Sequence, residues 1–170
     1  RDIGVRTVFN ILGPLSNPAG ASVQLIGVYS PDLTDLVGGV LGSLGTRSAF
    51  VVHGAGGIDE LSTIGPNRVT RVANGAVETF WLDPQEIGLR RASLTDLQGG
   101  TPQDNAAIIR RIFAGEQGPR RDVVLLNAAA LLLAAGAARD TLALAADAVD
   151  SGRARRKLDQ LVAFTQGVPS

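Results

Sequence analysis

Ser48-Ala49-Phe50-Val51-Val52-His53, followed at once by Gly54-Ala55-Gly56-Gly57-Ile58-Asp59-Glu60, is the stretch from which the fold can be read. Its continuous apolar centre has the pattern of a strand covered on both faces, as in the interior of an α/β sheet. The residues after it are too rich in glycine to be shaped by side chains, and glycine admits close backbone approaches that other residues forbid. An apolar strand emptying into such a loop is the usual geometry of a ligand site at the carboxyl end of a sheet.

Upstream, 23–29 (VQLIGVY) reads as a short buried strand. Ser30-Pro31-Asp32 is a turn that starts a helix, with Pro at the first helical position. That helix is predicted over 32 to about 44, with Leu33, Leu36, Val37, Val40, Leu41 and Leu44 at helical spacing. Gly38, Gly39 and Gly42 inside it cost helix propensity, which implies close packing against the sheet. Downstream, 68–72 (RVTRV) and 77–81 (VETFW) flank Asn74-Gly75, a hairpin signal. Residues 83–100 read as irregular, and helices are predicted over 101–113, 122–136, 139–150 and 152–165. The expectation is one α/β domain over 1–170, a mixed, mostly parallel central sheet flanked by helices, with one antiparallel hairpin element.

Composition narrows the function classes. Apolar residues make up 45% and aromatic ones 4%, so the core is aliphatic, and 21 of 170 residues are Gly. Sixteen basic residues balance sixteen acidic ones, so overall charge supports no nucleic-acid footprint. With no Cys, a disulfide framework, a thiolate zinc site and a cysteine nucleophile are excluded. The most apolar run, 123–138, is interrupted by Asn127 and falls short of the ~20 residues a bilayer span needs. No membrane partner and a cytoplasmic location are therefore expected. The chain starts at Arg1 and contains no Met, which points to a processed product or a fragment.

Asp59-Glu60 is the best candidate for chemistry. Adjacent carboxylates on an irregular loop can converge on a hard cation such as Mg²⁺, which takes one or two protein carboxylates and shares phosphate oxygens with a substrate; the competing reading is a solvated helix cap. His53, the sole histidine, offers acid–base work or a structural role. Residues 10–18 (NILGPLSNP) form a rigid loop in which Gly13 and Asn17 can present backbone and amide groups to a planar substrate, or simply a sharp turn. The Ala-rich 127–138 reads as plain core. Walker, GxGxxG, HExxH and EF-hand patterns are absent from the sequence.

Residues 6–18 (RTVFNILGPLSNP) resemble a signature of the anthranilate phosphoribosyltransferases and, more loosely, of the pyrimidine nucleoside phosphorylases. Val51-Val52-His53-Gly54 with Gly57-Ile58-Asp59-Glu60-Leu61-Ser62 is similar to the anthranilate branch. So are Gly99-Gly100-Thr101-Pro102 with Asn105-Ala106, and Asp122-Val123-Val124-Leu125-Leu126-Asn127-Ala128-Ala129. The resemblance implies a two-domain enzyme about twice as long, homodimeric through an upstream helical domain. Its expected reaction is transfer of the phosphoribosyl group of 5-phosphoribosyl 1-diphosphate to anthranilate in tryptophan biosynthesis. By the same resemblance, Asp59 and Glu60 bind Mg²⁺ associated with the diphosphate, Gly13 and Pro14 line the anthranilate channel, and His53 takes no assigned role. The family's GTGGD diphosphate loop and its carboxylate-gripping arginine lie upstream of Arg1. The chain is thus expected to be the second half of the enzyme, inactive until its missing N-terminal half is supplied. The alternatives are a nucleoside phosphorylase-like or nucleic-acid-binding homologue of the same fold, or a stable fragment with a purely structural existence.

Overall fold

The computed structural model of the chain describes Gly13, Leu15 and residues 20–138 and 140–167. Strand β1 (Val23–Gly27) runs parallel to β2 (Ser48–His53), with Val23 opposite Ser48 and Gly27 opposite Val52. Helix α1 (Leu33–Ser43) makes the crossover between them. Strand β3 (Asn67–Ala73) returns antiparallel beside β2, and β4 (Ala76–Leu82) antiparallel beside β3, giving the order β1-β2-β3-β4. The chain is therefore a mixed α/β fold, as expected. Among the described residues the parallel share is confined to β1 and β2. A parallel return needs a long crossover, usually a helix, and the segment from 54 to 66 contains none. Asn74 at φ 49° and Gly75 at φ 84° both take the left-handed backbone that a two-residue hairpin turn requires.

Alternate residues of β2 serve opposite faces, the period of a strand. Ala49 and Val51 pack with Ile26, Val28 and Val72 against Val37 and Leu41 of α1. Phe50 and Val52 pack with Leu61 and Val69 against Leu126 and Ala134 of α4 (Pro119–Ala134). Behind α4 a helical layer is built from α3 (Pro102–Phe113), α5 (Thr141–Asp150) and α6 (Arg153–Gln166). Its apolar centre is Ile112, Leu125, Ala129, Ala145 and Val149. Residues 83–100, expected to be irregular, hold a 3-10 turn at Pro84–Ile87 and a single helical turn, α2 (Leu94–Leu97). Both are too short to carry a periodic apolar signal, and each is stabilised by a local side-chain cap, from Asp83 and from Ser93 with Asp96. Helix α4 starts earlier than predicted, because Pro119 fits the first helical position and Gly118 at φ 126° breaks the chain before it. Among the described residues no helix is long and apolar enough to cross a membrane.

The glycines of α1 are not equivalent. A Cβ at Gly38 would stand 2.6 Å from Cγ2 of buried Thr70, whereas one at Gly39 would meet nothing within 4 Å. Of these two, only Gly38 is needed for helix and sheet to touch. Gly39→Ala should stabilise the fold by about 0.5–1 kcal/mol through helix propensity, while Gly38→Ala should destabilise it by about 1–3 kcal/mol through overpacking. Equilibrium urea unfolding of the two variants checks the difference in sign.

Candidate functional site

The loop after β2 folds back on the strand that precedes it. Gly54 N–H donates to the carbonyl of Ile58 at 2.8 Å, and Gly57 N–H to the carbonyl of Gly54 at 3.1 Å. The tight return uses left-handed backbone at Gly56 (φ 88°) and Gly57 (φ 77°). Two further glycines have no room for any side chain. An ideal Cβ on Gly27, at the end of β1, would lie 1.5 Å from the carbonyl oxygen of Asp59, and one on Gly54 would lie 2.0 Å from that of Glu60. The main chain of Asp59-Glu60 thus rests on bare Cα atoms at the carboxyl ends of the two parallel strands.

Two asparagines fasten the other side of the loop. Asn127, on α4, accepts the N–H of Leu61 at 3.0 Å and donates to its carbonyl at 2.8 Å, bracketing the residue next to Glu60. Its amide donates also to the carbonyl of Val123. Fully buried Asn67, at the start of β3, accepts from Ser62 N–H at 2.8 Å and from Ala55 N–H at 3.3 Å. It donates to the carbonyls of Ser62, Gly65 and Leu82. The hydroxyl of Ser62 closes the set on the carbonyl of Ala55 at 2.7 Å. Every one of these bonds grips backbone, so the loop's path is set without using its carboxylates. Asn67 carries no site signal in the sequence, whereas Asn127 stands there within a family-like motif and as a lone amide interrupting an apolar run, which marks a buried group that must find a partner.

Asp59 and Glu60 themselves are exposed, and neither carboxylate has a hydrogen-bond or ion-pair partner among the described residues. The Glu60 carboxyl is held above its ordinary value of 4.5, first by the protein packed around it and second by the negative charge of Asp59. Two unpaired, mutually repelling carboxylates on a fixed backbone are a donor set that a hard divalent cation fits. Among the described residues no group of three or more acidic or imidazole side chains gathers at one point. A cation here would therefore draw its remaining oxygens from water or a phosphate ligand, the usual habit of Mg²⁺. A simple helix cap is not what the structure shows, since 54–60 leads into no helix.

His53 is half-buried, with Nδ1 2.9 Å from the carbonyl of Val28. Gly13 is exposed, in helical backbone rather than the expected loop, and a Cβ there would meet nothing within 4 Å. Pro14 and Asn17 lie outside the described residues. Gly99 and Gly100 are explained locally, since a Cβ on either would meet the side chain of Asn105 or of Asp104 within 3 Å. Asn105 brackets the backbone of Gly100, and Thr101 with Asp104 caps α3.

Asn127→Ala leaves the N–H and carbonyl of buried Leu61 unpaired and should cost about 2–3 kcal/mol in denaturant unfolding. For Glu60, a raised carboxyl value means that above pH 4.5 the folded chain keeps a proton the unfolded chain releases. Stability therefore falls as pH rises through that window. Glu60→Gln should flatten this fall, which melting temperatures of variant and wild type at about pH 4 and about pH 7 measure.

The chain is similar to known proteins over nearly its whole length. The anthranilate phosphoribosyltransferase of Moorella thermoacetica is 55% identical over 169 residues, covering 98% of this chain and 50% of that protein. Among solved structures, the anthranilate phosphoribosyltransferase of Thermus thermophilus superposes with a TM-score of 0.85 at 46% identity, over 96% of this chain and 49% of that one. The Saccharomyces cerevisiae enzyme in complex with PRPP and Mg gives 0.83 at 29% identity, over 97% and 49%. The chain thus spans about half the length of the relatives it matches. The description "Glycosyl transferase family, a/b domain" matches residues 1–155, and the chain belongs to that family.

Proposed function

We propose that the chain is one half of an anthranilate phosphoribosyltransferase, with Asp59 and Glu60 holding Mg²⁺ against the diphosphate of 5-phosphoribosyl 1-diphosphate. The observation that carries this reading is the pair of unpartnered carboxylates on a glycine-seated loop at the ends of β1 and β2. Relatives named for the activity, and a yeast relative whose structure holds PRPP and Mg, support it. Gly13 and Pro14 are assigned to the wall of the anthranilate channel. The other half of the site, including the remaining phosphate contacts, belongs to an upstream segment that the relatives carry. Homodimerisation through that segment and a cytoplasmic location complete the proposal.

The chemistry asks little of this chain beyond charge and position. When bound, Mg²⁺ neutralises negative charge developing on the departing diphosphate. Asp59 and Glu60 fix where that neutralisation occurs, and the loop's backbone bonds keep them from relaxing away from it. Anthranilate presents a neutral aryl amine, already nucleophilic, to C1 of the ribose, so no strong general base is needed. A site without Cys and with a single His is sufficient for such a transfer.

The test joins the chain to the upstream half of a relative and follows formation of the N-phosphoribosyl product. The chain alone should be inactive and the assembled protein active with Mg²⁺. Asp59→Asn should lower turnover roughly ten- to hundredfold at saturating substrate and raise the Mg²⁺ concentration needed. An assembled, folded protein with no transfer, or unchanged Mg²⁺ dependence in Asp59→Asn, would contradict the proposal.

A further inference from the structure

The end of β1 is held to β2 by a main-chain bond and by a side chain. The N–H of Val28 donates to the carbonyl of Val52 at 2.9 Å, continuing the parallel ladder. The carbonyl of Val28 is met by the ring of His53, with Nδ1 2.9 Å away. A carbonyl can only accept, so Nδ1 carries a hydrogen and donates it. Val28 is 5% exposed, and a backbone carbonyl at such a position needs a partner. Beside it stands Gly27, whose Cα is the surface against which the carbonyl of Asp59 lies.

We infer that His53 is a positioning residue for the Asp59-Glu60 pair: by holding the carbonyl of Val28 it fixes Gly27, and Gly27 sets the height at which Asp59 crosses the strand ends. The inference rests on the reading that this pair binds a divalent cation. It gives a place in the site to a histidine that bears no acid–base duty in the proposed transfer. Take away the ring donor and the Val28 carbonyl is a buried acceptor without a partner, relieved by turning the end of β1 toward water. That turn moves Gly27, and the loop resting on it follows. Asn127 and Asn67 hold the loop beyond Glu60 and at Ala55, so the displacement falls on the carboxylate-bearing residues between them.

The test uses the ¹⁵N-labelled 170-residue chain with Mn²⁺ as the probe, since paramagnetic broadening reports a weak site residue by residue. In the wild type, amides near Asp59, Glu60 and Leu61 should broaden first. His53→Leu should raise the Mn²⁺ concentration for half-broadening about three- to tenfold, the effect of one net hydrogen bond. His53→Asn restores an N–H donor close to the place of Nδ1 and should return the midpoint to within about twofold of wild type. The amide shifts of Gly27 and Val28 should move in the Leu variant and recover in the Asn variant. An unchanged midpoint in folded His53→Leu, or Leu and Asn variants that behave alike, would overturn the inference. If His53→Leu does not fold, the ring itself decides on wild-type protein: a long-range ¹H–¹⁵N spectrum with the hydrogen on Nδ1 supports the inference, and a bare Nδ1 refutes it. The double variant Asp59→Asn/Glu60→Gln separates the two claims. Broadening that survives it removes the metal reading; broadening that vanishes there but is untouched by His53→Leu removes only the role of His53.

Discussion

Two missing side chains govern this domain. At Gly27 and Gly54 the backbone of the Asp59-Glu60 loop comes closer to the strand ends than any Cβ would allow. An alanine at either place would push the loop off the sheet, because the atoms it would strike are main-chain carbonyls and not the tips of flexible side chains. The strand order follows from the same seat. β1 and β2 must run parallel to bring their carboxyl ends together under one loop, and α1 supplies the crossover this demands.

The polar groups divide into two sets with opposite tasks. Asn67, Asn127, Ser62 and His53 spend their hydrogen bonds on backbone, inside or at the margin of the core. Asp59 and Glu60 spend none, stay exposed, and repel each other. The Glu60 carboxyl is raised first by the protein packed around it and second by the charge of Asp59. The proposed cation role rests on this local conflict held in place by satisfied surroundings.

What was legible in the sequence was local. β2 declared itself by an unbroken apolar centre, the hairpin by Asn74-Gly75, and α3 by Thr101-Pro102 with Asp104 three residues on. Asp59-Glu60 stood out because two charges follow a glycine-rich turn. The fastening of the loop was not legible, since Asn127 grips Leu61 across 66 residues of chain and His53 grips Val28 across 25. Pairings of that length leave no periodic trace. Gly27 was hidden for a related reason: inside VQLIG it reads as one more strand residue, and only the fold reveals what leans on it. The Ala-rich 127–138 reads as plain core, yet its first residue, Asn127, fastens the loop at Leu61.

We propose that a divalent cation bound with the substrate's diphosphate sits on Asp59 and Glu60. The most direct measurement of this is anomalous diffraction from crystals of the chain joined to its upstream half, grown with Mn²⁺ and 5-phosphoribosyl 1-diphosphate. An anomalous peak is expected within coordination distance of both the Asp59-Glu60 carboxylates and diphosphate oxygens. Ordered substrate with no such peak beside these two residues would contradict it.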